Sequence, residues 1–250
     1  MKQSVIYALD FDGVICDSAI ETGISGWKAA AQIWADFVTP LPPSELIERF
    51  RQVRSVMGTG YEAILIVRLL HNGETIEAIR RNYAEKTQKL IEDTNLSIDE
   101  LKQLFGETRD RWIDKDLDDW VAMNPLFPGI AEKLQGLSEQ GIWYIVTTKQ
   151  ERFVRQILDA NQVQLPAERI FGLDRNMSKE AVLIELDNKH AEETFYFVED
   201  MLSSLAKVLN NRKLQSVKLF LAVWGYNTAE QKLDAEKLAI ELIDIDNFLS

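Results

Sequence analysis

Two aspartates two positions apart, Asp10 and Asp12, are the residues of this sequence best suited to chemistry. They close the run Val5-Ile6-Tyr7-Ala8-Leu9-Asp10-Phe11-Asp12-Gly13-Val14. The apolar, β-branched and aromatic stretch before them reads as a buried strand, and Asp-Gly as the loop it opens into. In an open α/β sheet, ligands bind beyond the carboxyl ends of the strands. Carboxylates placed there at i and i+2 can divide labour, one attacking as a nucleophile while its neighbour moves protons. The ordinary alternative is an Asx-type turn that closes the strand.

Three later segments have the same character. Val146-Thr147-Thr148-Lys149 places hydroxyls and amides just past an apolar run. Ser178-Lys179 places an ammonium near a helix start, and Phe195-Tyr196-Phe197-Val198-Glu199-Asp200 is a second apolar run ending in paired carboxylates. Taken singly, each has an ordinary role: Thr147 as a helix-entry residue, Lys179 as a solvated charge, Glu199-Asp200 as a helix cap. Their order, all at strand ends, makes coincidence a poor account of the set.

The elements that must position these groups fall into two blocks. From about Ser18 to Met123 the pattern is helical. Ile20, Ile24, Trp27, Ala31 and Trp34 recur at helical spacing, as do Leu46, Ile47, Phe50 and Val53. Ile64 to Leu70 forms an apolar helix core, and Ile76 to Ile91 is one amphipathic stretch. Ser97-Ile98-Asp99-Glu100 has capping-box spacing. After Asn124-Pro125-Leu126-Phe127-Pro128-Gly129 the pattern alternates. Helices from Ile130 to Gln140, Glu151 to Ala160, from Ser178 and Leu202 to Leu209 separate apolar runs at Ile142–Thr147, Arg169–Gly172, Thr194–Val198, Val217–Val223 and Ile240–Ile243. This alternation predicts an α/β fold: a doubly wound, mostly parallel sheet. Residues 1–16 and 127–250 form that core, and residues 17–126 an all-helical insertion.

The 250 residues carry a net charge of −12. That sign argues against nonspecific binding to nucleic acid or an anionic membrane surface. A single cysteine, Cys16, rules out an intrachain disulfide and suits a reducing compartment. Neither a signal peptide nor a membrane span is visible, so a cytoplasmic location is expected. The sequence leaves the oligomeric state open.

The ordered set of motifs resembles the haloacid dehalogenase superfamily of phosphohydrolases, over nearly the whole chain and with the helical cap inserted after the first strand. Asp10-Phe11-Asp12-Gly13-Val14 is similar to its first motif, Thr147 to its second, Lys179 to its third and Glu199-Asp200 to its fourth. Val146-Thr147-Thr148-Lys149 with Glu151-Arg152-Phe153, and Trp224-Gly225-Tyr226, are similar to phosphoglycolate-phosphatase-like members. One departure is visible: many relatives carry another acid four residues after the last Asp, where this chain has Ser204.

Electrostatics supports the resemblance. Asp10, Asp12, Glu199 and Asp200 would share one crevice, and each close pair repels by about 4 kcal/mol at about 4 Å in a surface-like dielectric. Such a crevice calls for a cation, and oxygen ligands with a phosphate to share suit Mg²⁺. The resemblance implies direct ligation by Asp10, Asp200 and the main-chain carbonyl of Asp12, with Glu199 acting through water. It implies a small phosphorylated metabolite as substrate. Asp10 is the expected nucleophile, forming an aspartyl-phosphate, and Asp12 the acid and base. Thr147, Thr148 and Lys179 are expected to hold the phosphoryl group.

Other candidates are weaker. His71 and His190 form no ligand pair, and solvent exposure is expected for both. Cys16 is expected to pack. Gly58-Thr59-Gly60 is short for a phosphate loop and reads as a helix-to-helix turn, with a substrate role as the alternative. Between Pro43 and Leu90, eight basic residues face six acidic ones. Arg51 and Arg54 are three apart, either on a solvated helix face or, for Arg54, binding an anionic substrate. Three rival functions stay open. A dehalogenase would leave Asp12 and the metal acids without work, a sugar phosphomutase would use the same set, and a catalytically silent binding module would keep only the fold.

Overall fold

The chain's computed structural model describes residues 5–250; residues 1–4 of the expected core segment lie outside the described residues. It divides into two compact units, residues 1–17 with 125–250, and residues 18–124.

The first unit is α/β. Its strands are β1 (Val5–Leu9), β2 (Trp143–Val146), β3 (Ile170–Phe171), β4 (Thr194–Glu199), β5 (Lys218–Ala222) and β6 (Glu241–Ile243). All neighbouring pairs are parallel, in the order β3-β2-β1-β4-β5-β6. Parallel strands are covered on both faces, which is why they read as continuous apolar runs rather than alternating ones. Trp143, Tyr144, Ile145 and Val146 are all buried. Helix Glu151–Ala160 shows how the cover is built: Phe153, Val154, Ile157 and Leu158 form its buried stripe. Leu183, Leu186, Leu205 and Val208 from two further helices pack with Ile6, Phe195 and Leu221 of the strands.

β2 and β3 lie on one side of β1, and the chain then crosses to place β4, β5 and β6 on the other. That makes β1 the switch point, where the connections diverge and leave a crevice past the strand ends. Leu9 is level with Ile145 of β2 and with Val198 of β4. The three loops that carry the candidate residues therefore start side by side.

The second unit is helical throughout its described elements, from Ala19–Ala30 to Leu117–Ala122. Helix Glu62–His71 is its buried centre, with Ala63 to Val67, Leu69 and Leu70 inside. The capping box forms as the spacing predicts: Ser97 Oγ accepts from the Glu100 amide, and Glu100 Oε2 from the Ser97 amide. Two expectations need correction. The stretch from Ile76 to Ile91 is broken into helices Ile76–Arg81 and Tyr83–Thr94, because Asn82 leaves helical geometry at φ −124°, ψ 32°. The first helix stops at Ala30, so Trp34 belongs to the following turns, where it stacks on Phe37. No described helix is long and apolar enough to cross a membrane.

Candidate active site

Asp10 is the first residue beyond β1, its amide donating to the Val198 carbonyl of β4 at 2.9 Å. That one bond puts its side chain beside the end of β4, where Glu199 and Asp200 follow. Lys179, in the first turn of helix Lys179–Lys189, lies between them. Its Nζ is 2.9 Å from Asp10 Oδ1 and donates to Glu199 Oε2 at 2.6 Å. The other Glu199 oxygen accepts from the Asp200 and Met201 amides at 3.1 and 3.0 Å. Glu199 thus anchors both the loop beyond β4 and the ammonium.

Asp200 is held by the loop after β5. The Tyr226 amide donates to its Oδ2 at 2.7 Å, and Asn227 Nδ2 to its carbonyl at 3.2 Å. Trp224 Nε1 donates to the Val14 carbonyl and the Tyr226 hydroxyl to Asp17, so the same loop grips the segment after β1. Two glycines allow this approach. A Cβ on Gly13, which sits at φ +90°, would lie 2.1 Å from Asp200 Oδ2, and one on Gly225 would lie 2.3 Å from Asp200 Cβ. Any side chain at Gly13 would also be strained by the positive φ.

Burial costs the charged forms of these acids. It is the main force raising the Asp10 pKa to about 7; Glu199 and Asp12 add repulsion, and Lys179 offsets part of it. Burial raises Glu199 as well, against the pull of Lys179. For Lys179, burial favours the neutral amine, but attraction to Asp10 and Glu199 outweighs it and the pKa is raised. Asp10, Glu199 and Asp200 each offer an oxygen within 4.8 Å of the others. Buried hard donors at this spacing, short of positive charge, fit a divalent cation that prefers oxygen.

Thr147 follows β2, buried, its amide bonded to Phe171 of β3 at 2.9 Å. Its hydroxyl accepts from the Lys149 amide at 3.1 Å, which closes the turn, and Thr148 between them is partly exposed. Asp12, also partly exposed, accepts from Lys149 Nζ at 2.8 Å. Lys149 is the site residue that sequence reasoning missed. It stood at the end of a quoted motif, but nothing in the sequence marks a lysine as buried.

The remaining candidates belong to the helical unit. Arg54 is not on a solvated face: it is buried in the turn Arg54–Val56, its Nη1 donating to the Met57 carbonyl. The Gly58 and Thr59 amides donate to Glu62 Oε2. Gly60 packs so closely that a Cβ there would lie 2.7 Å from the Phe105 ring. Structural roles are therefore visible for Arg54, Gly58, Thr59 and Gly60. His190 departs from the expected exposure: it is buried and shares a 2.8 Å hydrogen bond with the Tyr144 hydroxyl.

No protein-family model matches the sequence, and no curated protein matches it. Solved structures do match its fold. A predicted phosphatase from Clostridium acetobutylicum is 16% identical with a TM-score of 0.59, covering 100% of this chain and 97% of its own. A predicted phosphoglycolate phosphatase from Haemophilus somnus is 16% identical with a TM-score of 0.59, covering 100% and 96%. A haloacid dehalogenase-like family hydrolase from Streptococcus pneumoniae is 19% identical with a TM-score of 0.55, covering 97% and 94%. This chain has the haloacid dehalogenase-like fold.

Proposed function

We propose that the protein is a Mg²⁺-dependent phosphatase of a small phosphorylated metabolite, working through an aspartyl-phosphate on Asp10. The observation that carries this reading is the cluster of Asp10, Glu199 and Asp200 oxygens within 4.8 Å, with Lys179 bridging two of the three acids. A purely structural cluster has no reason to concentrate negative charge in this way.

Asp10, Asp200 and the Asp12 carbonyl would hold the ion, with Glu199 acting through water. The bound cation supplies neutralisation of the phosphoryl oxygens and of the acids themselves. Asp10 attacks phosphorus in line while Asp12 protonates the departing oxygen. Asp12 then takes a proton from the water that hydrolyses the acyl phosphate. Lys179 and the Thr147 hydroxyl, with nearby amides, stabilise charge on the transferred group. The helical unit is the candidate lid, supported by its insertion directly after Asp17. The phosphoglycolate phosphatase among the structural matches makes phosphoglycolate and sugar phosphates the first substrates to try.

A phosphate-release screen over a metabolite panel, with Mg²⁺ and with chelator, tests the proposal. Chelator-sensitive release of inorganic phosphate supports it. An isomeric sugar phosphate in place of free phosphate would make the protein a mutase, and no turnover on any monoester would favour the silent fold.

A further inference from the structure

Lys149 has an environment that a surface lysine never has. Its side chain is 0% exposed, and its ammonium donates to Asp12 Oδ1 at 2.8 Å. The backbone beneath it is fixed on two sides. Its amide donates to Thr147 Oγ1, and its carbonyl accepts from the Leu173 amide at 3.1 Å. Gly172 lies so close that a Cβ there would sit 2.6 Å from the Lys149 carbonyl oxygen. Phe11 lines the ammonium, its ring centroid 5.8 Å from Nζ.

Burying an ammonium is costly, and a buried pair stabilises a fold no better than apolar side chains of similar size. What such a pair supplies is geometry. A carboxylate just past a strand end can rotate about two torsions, and an ammonium on an immobile backbone fixes both. Asp12 is the group whose orientation the phosphatase reading needs, since its proton must reach the leaving oxygen and later come from water.

We infer that Lys149 is a positioning residue for proton transfer: by holding Oδ1 of Asp12 it fixes the orientation in which that carboxyl delivers and recovers the catalytic proton. In the first step the Asp10 oxygen bonds to phosphorus and the bond from phosphorus to the leaving oxygen breaks. That bond's electron pair stays on the leaving oxygen, which takes the Asp12 proton. In the second step a water oxygen bonds to phosphorus and gives its proton to Asp12, while the Asp10–phosphorus bond breaks and its electrons return to the carboxylate. Lys149 keeps its own protons throughout. This inference rests on the phosphatase reading above.

Leaving-group dependence separates it from that reading. A good leaving group needs little protonation, whereas a poor one depends on general acid catalysis, which contributes about 10²–10⁴-fold. Lys149→Met should therefore lower kcat/KM for phenyl phosphate at least about tenfold more than for p-nitrophenyl phosphate, both with Mg²⁺. In an Asp12→Asn background the same substitution should add no further discrimination. Lys149→Gln retains a hydrogen-bond donor, so it should give a smaller ratio, and it supplies the test if the Met variant does not fold. Equal losses on both esters, or no loss on either, would overturn the inference and leave the phosphatase reading intact. A wild-type protein inactive on both esters and on every monoester of the metabolite panel would overturn the two together.

Discussion

The two units bury charge in opposite ways. In the helical unit, Glu21 is wholly buried and met by Arg109 in a bidentate pair, at 2.8 Å through Nε and 2.6 Å through Nη2. Ser25 and Trp120 donate to the same carboxylate. One negative charge meets one positive charge, with hydrogen bonds completing its shell. In the α/β unit, Asp10, Asp12, Glu199 and Asp200 are set against the two ammonium groups of Lys149 and Lys179. The first arrangement is closed: each charge meets its partner and the carboxylate's hydrogen-bonding capacity is met. The second carries a negative excess that a bound cation would relieve, the pattern expected of a site rather than of a scaffold.

Replacing Asp10 should separate the units most sharply. Asp10→Asn should reduce turnover of p-nitrophenyl phosphate with Mg²⁺ by at least about 10³-fold, because the carboxylate that accepts the phosphoryl group has no substitute. Circular dichroism should show the fold intact. Substantial residual activity would falsify the nucleophile assignment.

The reverse pattern is expected for the closed pair. Arg109→Ala leaves Glu21 buried without its bidentate partner, and urea unfolding should report a loss of about 3–5 kcal/mol. A loss below about 1 kcal/mol would mean that the pair is not what holds the helices together. Arg109→Met with Glu21→Leu should restore most of the loss.

The open cluster should also show itself in stability against pH. The folded-state pKa of Asp10, about 7, lies above its ordinary value of 3.8. Between these values the folded protein binds more protons than the unfolded chain, so this group lowers stability as pH rises through the window. In chelator, Asp10→Asn should match the wild type near pH 4 and exceed it by about 2–4 kcal/mol near pH 7.5. Saturating Mg²⁺ should shrink the gap, since the wild type then gains more from the ion. A gap independent of pH and Mg²⁺ would count against the charge excess.

The smallest effect concerns the loop that serves Asp200. Tyr226→Phe removes the 2.9 Å bond to Asp17 but keeps the backbone amide on Asp200. A stability loss of about 0.5–1.5 kcal/mol in urea unfolding, with Mg²⁺ affinity within about twofold of wild type, is expected. A large drop in affinity would show that the hydroxyl, and not only the backbone, sets the Asp200 geometry.

Much of this could be read from residue types in order. Asp10 and Asp200 were legible because carboxylates at the ends of apolar strands are conspicuous, and the parallel sheet because its strands alternate with amphipathic helices. The burial of Arg54 was not legible, because a basic residue at helical spacing ordinarily faces water and periodicity does not show that the helix ends at Val53. His190 was misread because its partner, Tyr144, lies on a strand far away in sequence.

The sequence by itself determined which segments become strands and helices, and where each candidate group sits along them, because periodicity and turn chemistry are local. Only the tertiary structure decided which charges meet. That Lys179 bridges Asp10 and Glu199, that Lys149 is buried against Asp12, and that Glu21 is closed off by Arg109 depend on strand order and helix packing. Electrostatic energy depends on distance and on the surrounding medium, and neither is fixed until the chain has folded.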